Sequence, residues 1–123
     1  MHITKDLVAA SATPLVLSIL ARGDNYGYAI LKQVDELSAG RLEWTDGLLY
    51  PLLHRLERLG HVESAWETPP GGRRRKYYRI TDQGRAELAD QRRQWAAVVN
   101  TLTNVWHFTT ESPRTAMAAG DLT

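Results

Sequence analysis

The sequence predicts a mainly α fold with one small β-hairpin and a long C-terminal helix. Three observations predict it. Leu49, Leu52, Leu53, Leu56 and Leu59 recur at intervals of three and four, the period of one helical face. Pro69-Pro70-Gly71-Gly72 separates two short runs that carry Val62, Ala65 and Trp66 on one side and Tyr78 and Ile80 on the other, as two strands joined by a turn. Beyond Thr81 the chain is polar except for a stripe of Leu88, Trp95 and Leu102 at intervals of seven.

The first helix covers Pro14 to Arg22, with Leu15, Leu17, Ile19 and Leu20 as its apolar content. Thr13 before Pro14 matches an N-cap followed by proline at the first helical position. Residues Lys5 to Ala12 also favour helix, so one longer helix kinked at Pro14 is the alternative. Gly23-Asp24-Asn25 forms a turn. The second helix runs from Tyr26 to about Ser38, with Ile30, Val34 and Leu37 on its apolar side, and Ala39-Gly40 ends it. Leu42-Glu43-Trp44 is a short extended piece.

Thr45 caps the third helix, and Asp46 in its first turn suits the helix dipole. Behind the leucine face, the front carries Gly47, Tyr50, Pro51, His54 and Arg58, with Arg55 at the flank. Pro51 removes a helical hydrogen bond and predicts a late start or a slight bend; Gly60 terminates the helix. Strands follow from His61 to Thr68 and from about Lys76 to Thr81. Tyr77 and Tyr78 point to opposite strand faces, which puts at least one of them in the core. Thr81 caps the last helix, Asp82 to about Trp106, whose stripe Val98, Val99, Val105 and Trp106 broaden.

With 123 residues the chain forms one domain, or one small domain plus an extension. It has no cysteine, which excludes a disulfide framework, thiolate catalysis and cysteine-ligated metal centres. The content of 43% hydrophobic and 24% charged residues is that of a soluble globular protein. No apolar run nears the ~20 residues of a membrane span. The N-terminus shows no signal-peptide core, so a cytoplasmic location is expected. The formal net charge is only +1, but Arg73, Arg74, Arg75, Lys76 and Arg79 cluster within seven positions. A local cationic field of this kind attracts a polyanion, a solvated basic turn being the alternative.

Helix, helix, helix, charged hairpin, helix is the order of a winged helix-turn-helix followed by a long C-terminal helix. The DNA-binding domain is assigned to 1–81 with its wing at about 61–81, a dimerisation helix to 82–108 and a flexible tail to 109–123. In this architecture the front of the third helix enters the major groove, whose width of about 12 Å admits one helix. Candidate DNA contacts are Thr45, Gly47, Tyr50, Pro51, His54, Arg55 and Arg58 on that helix and Arg73, Arg74, Arg75 and Lys76 on the wing.

Three motifs resemble the PadR-type transcriptional regulators: Asp24-Asn25-Tyr26-Gly27-Tyr28-Ala29-Ile30, Gly47 to Glu57, and Gly71-Gly72-Arg73-Arg74-Arg75-Lys76-Tyr77-Tyr78-Arg79-Ile80-Thr81 followed by Gly84. In order and separation they cover roughly residues 10 to 106. The single C-terminal helix resembles the small-subfamily members. The resemblance implies a homodimeric repressor of double-stranded DNA that places the third helices of its two protomers in successive major grooves of a near-palindromic operator. Tyr50 and His54 then lie nearest the bases. A Tyr50 ring packed on the first helix, and a phosphate contact from His54, are the alternatives. Arg55 and Arg58 are expected on the backbone, Arg73 to Lys76 on phosphates at the wing.

The family's multidrug-binding branch is similar in the Gly-Asp-Asn-Tyr turn and in the tryptophan of the last helix. By that resemblance Trp95 stacks on a planar aromatic small molecule at the dimer centre, with Ala10, Pro14 and Val99 beside it. Leu88, Trp95, Leu102 and Trp106 form the dimer interface. Val99 stands where the branch has an acidic residue and Arg92 where it has an aromatic one, so a neutral or anionic ligand is as compatible as a cationic one. A packed interface role is the alternative for Trp95; Trp44, Trp66 and Trp106 are assigned to core or interface.

No cofactor and no membrane partner are implied. No catalytic motif is present, and His54 and His61, seven apart, lack the further ligands of a metal site. The remaining alternative is a winged helix used only for protein–protein contacts or for RNA; a protein-only module is expected to have an apolar or acidic front on the third helix.

Overall fold

The structure, a computed structural model, describes residues 1–110. Helix α1 (Lys5–Ala21) is followed by a two-residue strand β1 (Asn25–Tyr26), helices α2 (Gly27–Leu37) and α3 (Asp46–Arg58), strands β2 (Val62–Glu67) and β3 (Arg75–Ile80), and helix α4 (Asp82–Thr110). The helices and hairpin expected from the sequence are present, and β1 is an addition. The three strands are antiparallel in the order β1-β3-β2. Asn25 and Tyr26 pair with Tyr78 and Tyr77, turning the expected hairpin into a sheet.

Helix α1 runs unbroken through Pro14, so Thr13 is not its cap; its Oγ1 accepts a hydrogen bond from Arg55 Nη2 at 3.3 Å. Val16, Leu17, Ile19 and Leu20 on α1 are buried against Ile30 and Val34 of α2, the α3 leucines, and Val62, Tyr78 and Ile80 of the sheet. On α3, Leu49, Leu52, Leu53 and Leu56 are buried, whereas Leu59 is exposed just past the helix end. Leu37, expected on the apolar side of α2, is exposed as well. Thr45 caps α3 as expected, its Oγ1 accepting from Leu48 N at 3.3 Å. The helix starts at Asp46 with Pro51 inside, so the late start does not occur. Gly47 and Pro51 are both exposed, which leaves water to take the carbonyl that proline frees.

Two compact units divide the chain, Met1–Ala89 and the remainder. The first therefore takes in the opening turns of α4. Leu88, expected in a dimer interface, is a core residue of this unit, only 9% exposed, with little surface left for a partner. In the second unit α4 exposes Val98, Val99, Leu102, Val105 and Trp106, while Trp95 is half-buried. Thr109 and Thr110 continue the helix instead of opening a tail; the rest of the expected tail, 111–123, lies outside the described residues. Among the described residues no helix is long and apolar enough to cross a membrane.

Thr81 joins wing and helix. Its backbone N–H donates to the His61 carbonyl at 3.0 Å, its hydroxyl donates to the Gly60 carbonyl at 2.6 Å, and Oγ1 accepts from Gly84 N at 3.0 Å. Gly84 is buried so tightly that a Cβ there would collide with the His61 carbonyl oxygen and stand 2.8 Å from Ile80 Cγ1. Gly84→Ala is expected to destabilise the fold by about 1–3 kcal/mol through overpacking. A urea midpoint unchanged from wild type would remove this seat from the account.

Candidate nucleic-acid interface

The sheet outlasts the helical core. Along one face of the paired strands Val62 opposes Ile80, Ser64 opposes Tyr78, and Trp66 opposes Lys76. Burial fades in that order: Val62, Ile80 and Tyr78 are buried, Ser64 and Lys76 half-buried, and Trp66 is 57% exposed. The far end of the wing thus stands clear of the core. The Ser64 hydroxyl donates to Glu57 Oε2 at 2.7 Å, tying β2 to the last turns of α3.

An open cleft of about 690 Å³ lies between the start of α2, the front of α3 and the wing. Tyr50 and His54 reach it from α3, and Arg73, Arg74, Arg75 and Lys76 from the wing. The residues expected to read bases and those expected to meet phosphates therefore share one concavity. Gly47, Pro51, Arg55 and Arg58 face a second, 410 Å³ cleft shared with Ala9 and Ala12 of α1. Thr45 sits at the exposed entry of α3, its hydroxyl engaged as the cap.

Tyr50 packs on α2. A Cβ on buried Gly27 would collide with its ring, so glycine at the first position of α2 is what lets the phenol lie there. The ring remains 37% exposed, with its hydroxyl beside Gly27. Beneath the cleft, burial foremost, then the Glu57 carboxylate and the Tyr50 phenol, push the Tyr78 hydroxyl up from the ordinary tyrosine value.

The wing cations are not equivalent. Arg79, part of the basic run in the sequence, is held by Asp24 (Nε–Oδ2 3.4 Å) and by Glu63 (Nη1–Oε1 3.3 Å) across the sheet. Arg74 lies over the Trp66 ring at 4.8 Å, Arg75 over Tyr26 at 4.3 Å, and Lys76 Nζ is 5.6 Å from the Tyr78 ring. Sequence reasoning missed these aromatic walls. Tyr26 and Tyr28 sit in the Asp-Asn-Tyr-Gly-Tyr run, but their place beside the wing depends on β1, which is too short to show a period. Trp66, assigned to core or interface, is exposed because its strand position lies past the core's edge. Trp44 does pack against the core.

The residues expected around a small molecule are divided between the units. Ala10 is exposed and Pro14 half-buried on α1; Trp95 is half-buried and Val99 exposed on α4. Among the described residues, no three His, Asp or Glu side chains converge as metal ligands would.

Residues 16–90 match the transcriptional regulator PadR-like family. The transcriptional regulator Rv3488 of Mycobacterium tuberculosis is 45% identical over 58 residues, which are 47% of this chain and 53% of that protein. The crystal structure of a PadR family transcriptional regulator from Eggerthella lenta is 36% identical and superposes with a TM-score of 0.68 over 81% of each chain. That of a PadR-like transcriptional regulator from Bacillus cereus is 27% identical, with a TM-score of 0.74 over 82% of this chain and 96% of its own. The chain belongs to the PadR-like family, whose members are DNA-binding transcriptional regulators and not enzymes, and it has the family's winged-helix fold with a long C-terminal helix.

Proposed function

We propose that the protein is a homodimeric repressor that sets the front of α3 into the major groove of a near-palindromic operator and lays the wing along the flanking backbone. The observation that carries this reading is the cleft in which Tyr50 and His54 stand together with Arg73, Arg74, Arg75 and Lys76. Tyr50 and His54 are the base-proximal residues. Arg55 and Arg58, in the last turn of α3, contact the backbone from its other side. Dimerisation uses the exposed side of α4 beyond Ala89, where Val98, Leu102 and Val105 recur at four and three, together with Trp95 and Trp106. A planar aromatic molecule stacked on Trp95, beside Val99 one turn on, relieves operator binding.

The test is fluorescence anisotropy on the DNA directly upstream of the coding region, against a scrambled duplex at about 0.15 M salt. Specific binding stronger by about 10³-fold is expected, and addition of planar aromatic compounds is expected to reverse it. Equal weak binding to both duplexes would mean either that the operator lies elsewhere or that the α3 front serves a protein partner.

Tyr50→Ala or His54→Ala is expected to weaken operator binding more than binding to the scrambled duplex, by about 1–3 kcal/mol for a lost base contact. Equal losses on both would reduce these residues to backbone contacts. Arg74→Ala with Lys76→Ala is expected to weaken both duplexes alike and to flatten the salt dependence by close to one unit per lost phosphate contact. An unchanged slope would take the wing off the DNA. Light scattering at micromolar concentration is expected to give the mass of a dimer; a monomer mass would sink the assignment of α4.

A further inference from the structure

The wing region uses guanidinium groups in two ways. The planar group carries all its N–H donors along its edge and none on its face. Arg79 has that edge engaged, with Asp24 and Glu63 accepting from it. Arg74 and Arg75 are placed over rings, at 4.8 Å from Trp66 and 4.3 Å from Tyr26. A cation held over a ring spends no N–H donor on a carboxylate, so its donors stay available. Tyr26 is itself fixed, edge-to-face against Tyr77 at 5.5 Å and 75°.

Trp66 needs an explanation of its own. It is 57% exposed at the far end of β2, beyond the last buried residue of its strand face, so it adds little to the core. Its ring lies beneath the Arg74 guanidinium, whose Cζ is 4.8 Å from the ring centroid. A long arginine side chain on a turn otherwise samples many rotamers, and ordering it on a partner opposes binding.

Resting on the DNA-binding reading above, we propose that Trp66 is a positioning residue: its indole is a shelf that holds the Arg74 guanidinium in place, edge donors free, for a duplex phosphate. Trp66 does not touch the DNA; it acts through Arg74. A cation–π contact at an exposed site shifts an equilibrium by about two- to five-fold, which sets the size of the effect.

The experiment is a double-mutant cycle on the full chain, reading duplex affinity against salt for wild type, Trp66→Leu, Arg74→Ala and the pair. Trp66→Phe serves as the conservative variant, and the Arg74 side-chain NMR resonances of the free protein report whether the ring lies over them. Trp66→Leu is expected to weaken binding about two- to five-fold with the wild-type salt slope kept, and to remove the ring-current shift from Arg74. Trp66→Phe is expected to restore both. In the Arg74→Ala background, Trp66→Leu is expected to change nothing further. Wild-type affinity in Trp66→Leu overturns the proposal, and so does an equal loss when Arg74 is already alanine, since the indole then acts on the duplex itself. If wild type binds no duplex at any salt, the DNA-binding reading fails first and the proposal with it, an outcome distinct from the other two.

Discussion

The burial of four leucines on one side of α3 is the constraint on which the rest of the molecule depends. Leu49, Leu52, Leu53 and Leu56 are at most 6% exposed, sealed against α1 and α2. At about 1.5–3 kcal/mol for each fully buried side chain, they hold the helix in one rotational setting with roughly 6–12 kcal/mol of gross transfer free energy. A rotation of α3 would surrender much of that, so the opposite side has no choice about what it presents. Tyr50 and His54 then face the wing, while Pro51, Arg55 and Arg58 face α1. Pro51 is tolerated because it lies on the wet side, where the carbonyl it frees faces solvent.

The wing takes its position from its base. Thr81 bonds to the carbonyls of Gly60 and His61, Gly84 closes on His61, and Ser64 reaches Glu57 on α3. These contacts anchor the near end of the strands in the same framework as α3. The far end has no core beneath it, so its chemistry is that of surface rings and cations. Arg79 at the base is neutralised by two carboxylates, whereas Arg74 and Arg75 toward the tip lie on aromatic rings. A chain with a net charge of +1 can thus carry a local cationic surface: Asp24 and Glu63 are taken up by Arg79, while Arg73 to Lys76 gather at the cleft.

Helix α4 changes character along its length. Up to Leu88 it completes the core of the first unit. Beyond Ala89 it carries valine, leucine and tryptophan side chains in the open, next to polar residues that bond within the helix, such as Arg93 and Gln94 to Asp90. The seven-residue stripe in the sequence therefore spans two environments, and its first member belongs to a different one from the rest.

The sequence by itself determined the helices, the hairpin, the caps at Thr45 and Thr81, and the polar front of α3. Each rests on short-range physics: apolar period, a side-chain oxygen next to free backbone N–H groups, a Pro-Gly turn. The tertiary structure alone decided the rest. Strand β1 exists because Asn25 and Tyr26 find an open edge on β3, a pairing across some fifty residues that two residues cannot announce. Helix α1 passes through Pro14 because packing along both halves outweighs one lost hydrogen bond. Leu88 and Leu59 share the period of their stripes, yet one is buried and the other exposed, since period gives a direction and only the neighbouring elements give a cover. The same holds for the basic run: its charge was legible, but which arginine is neutralised and which is left to act depends on the carboxylates and rings that the fold brings beside each.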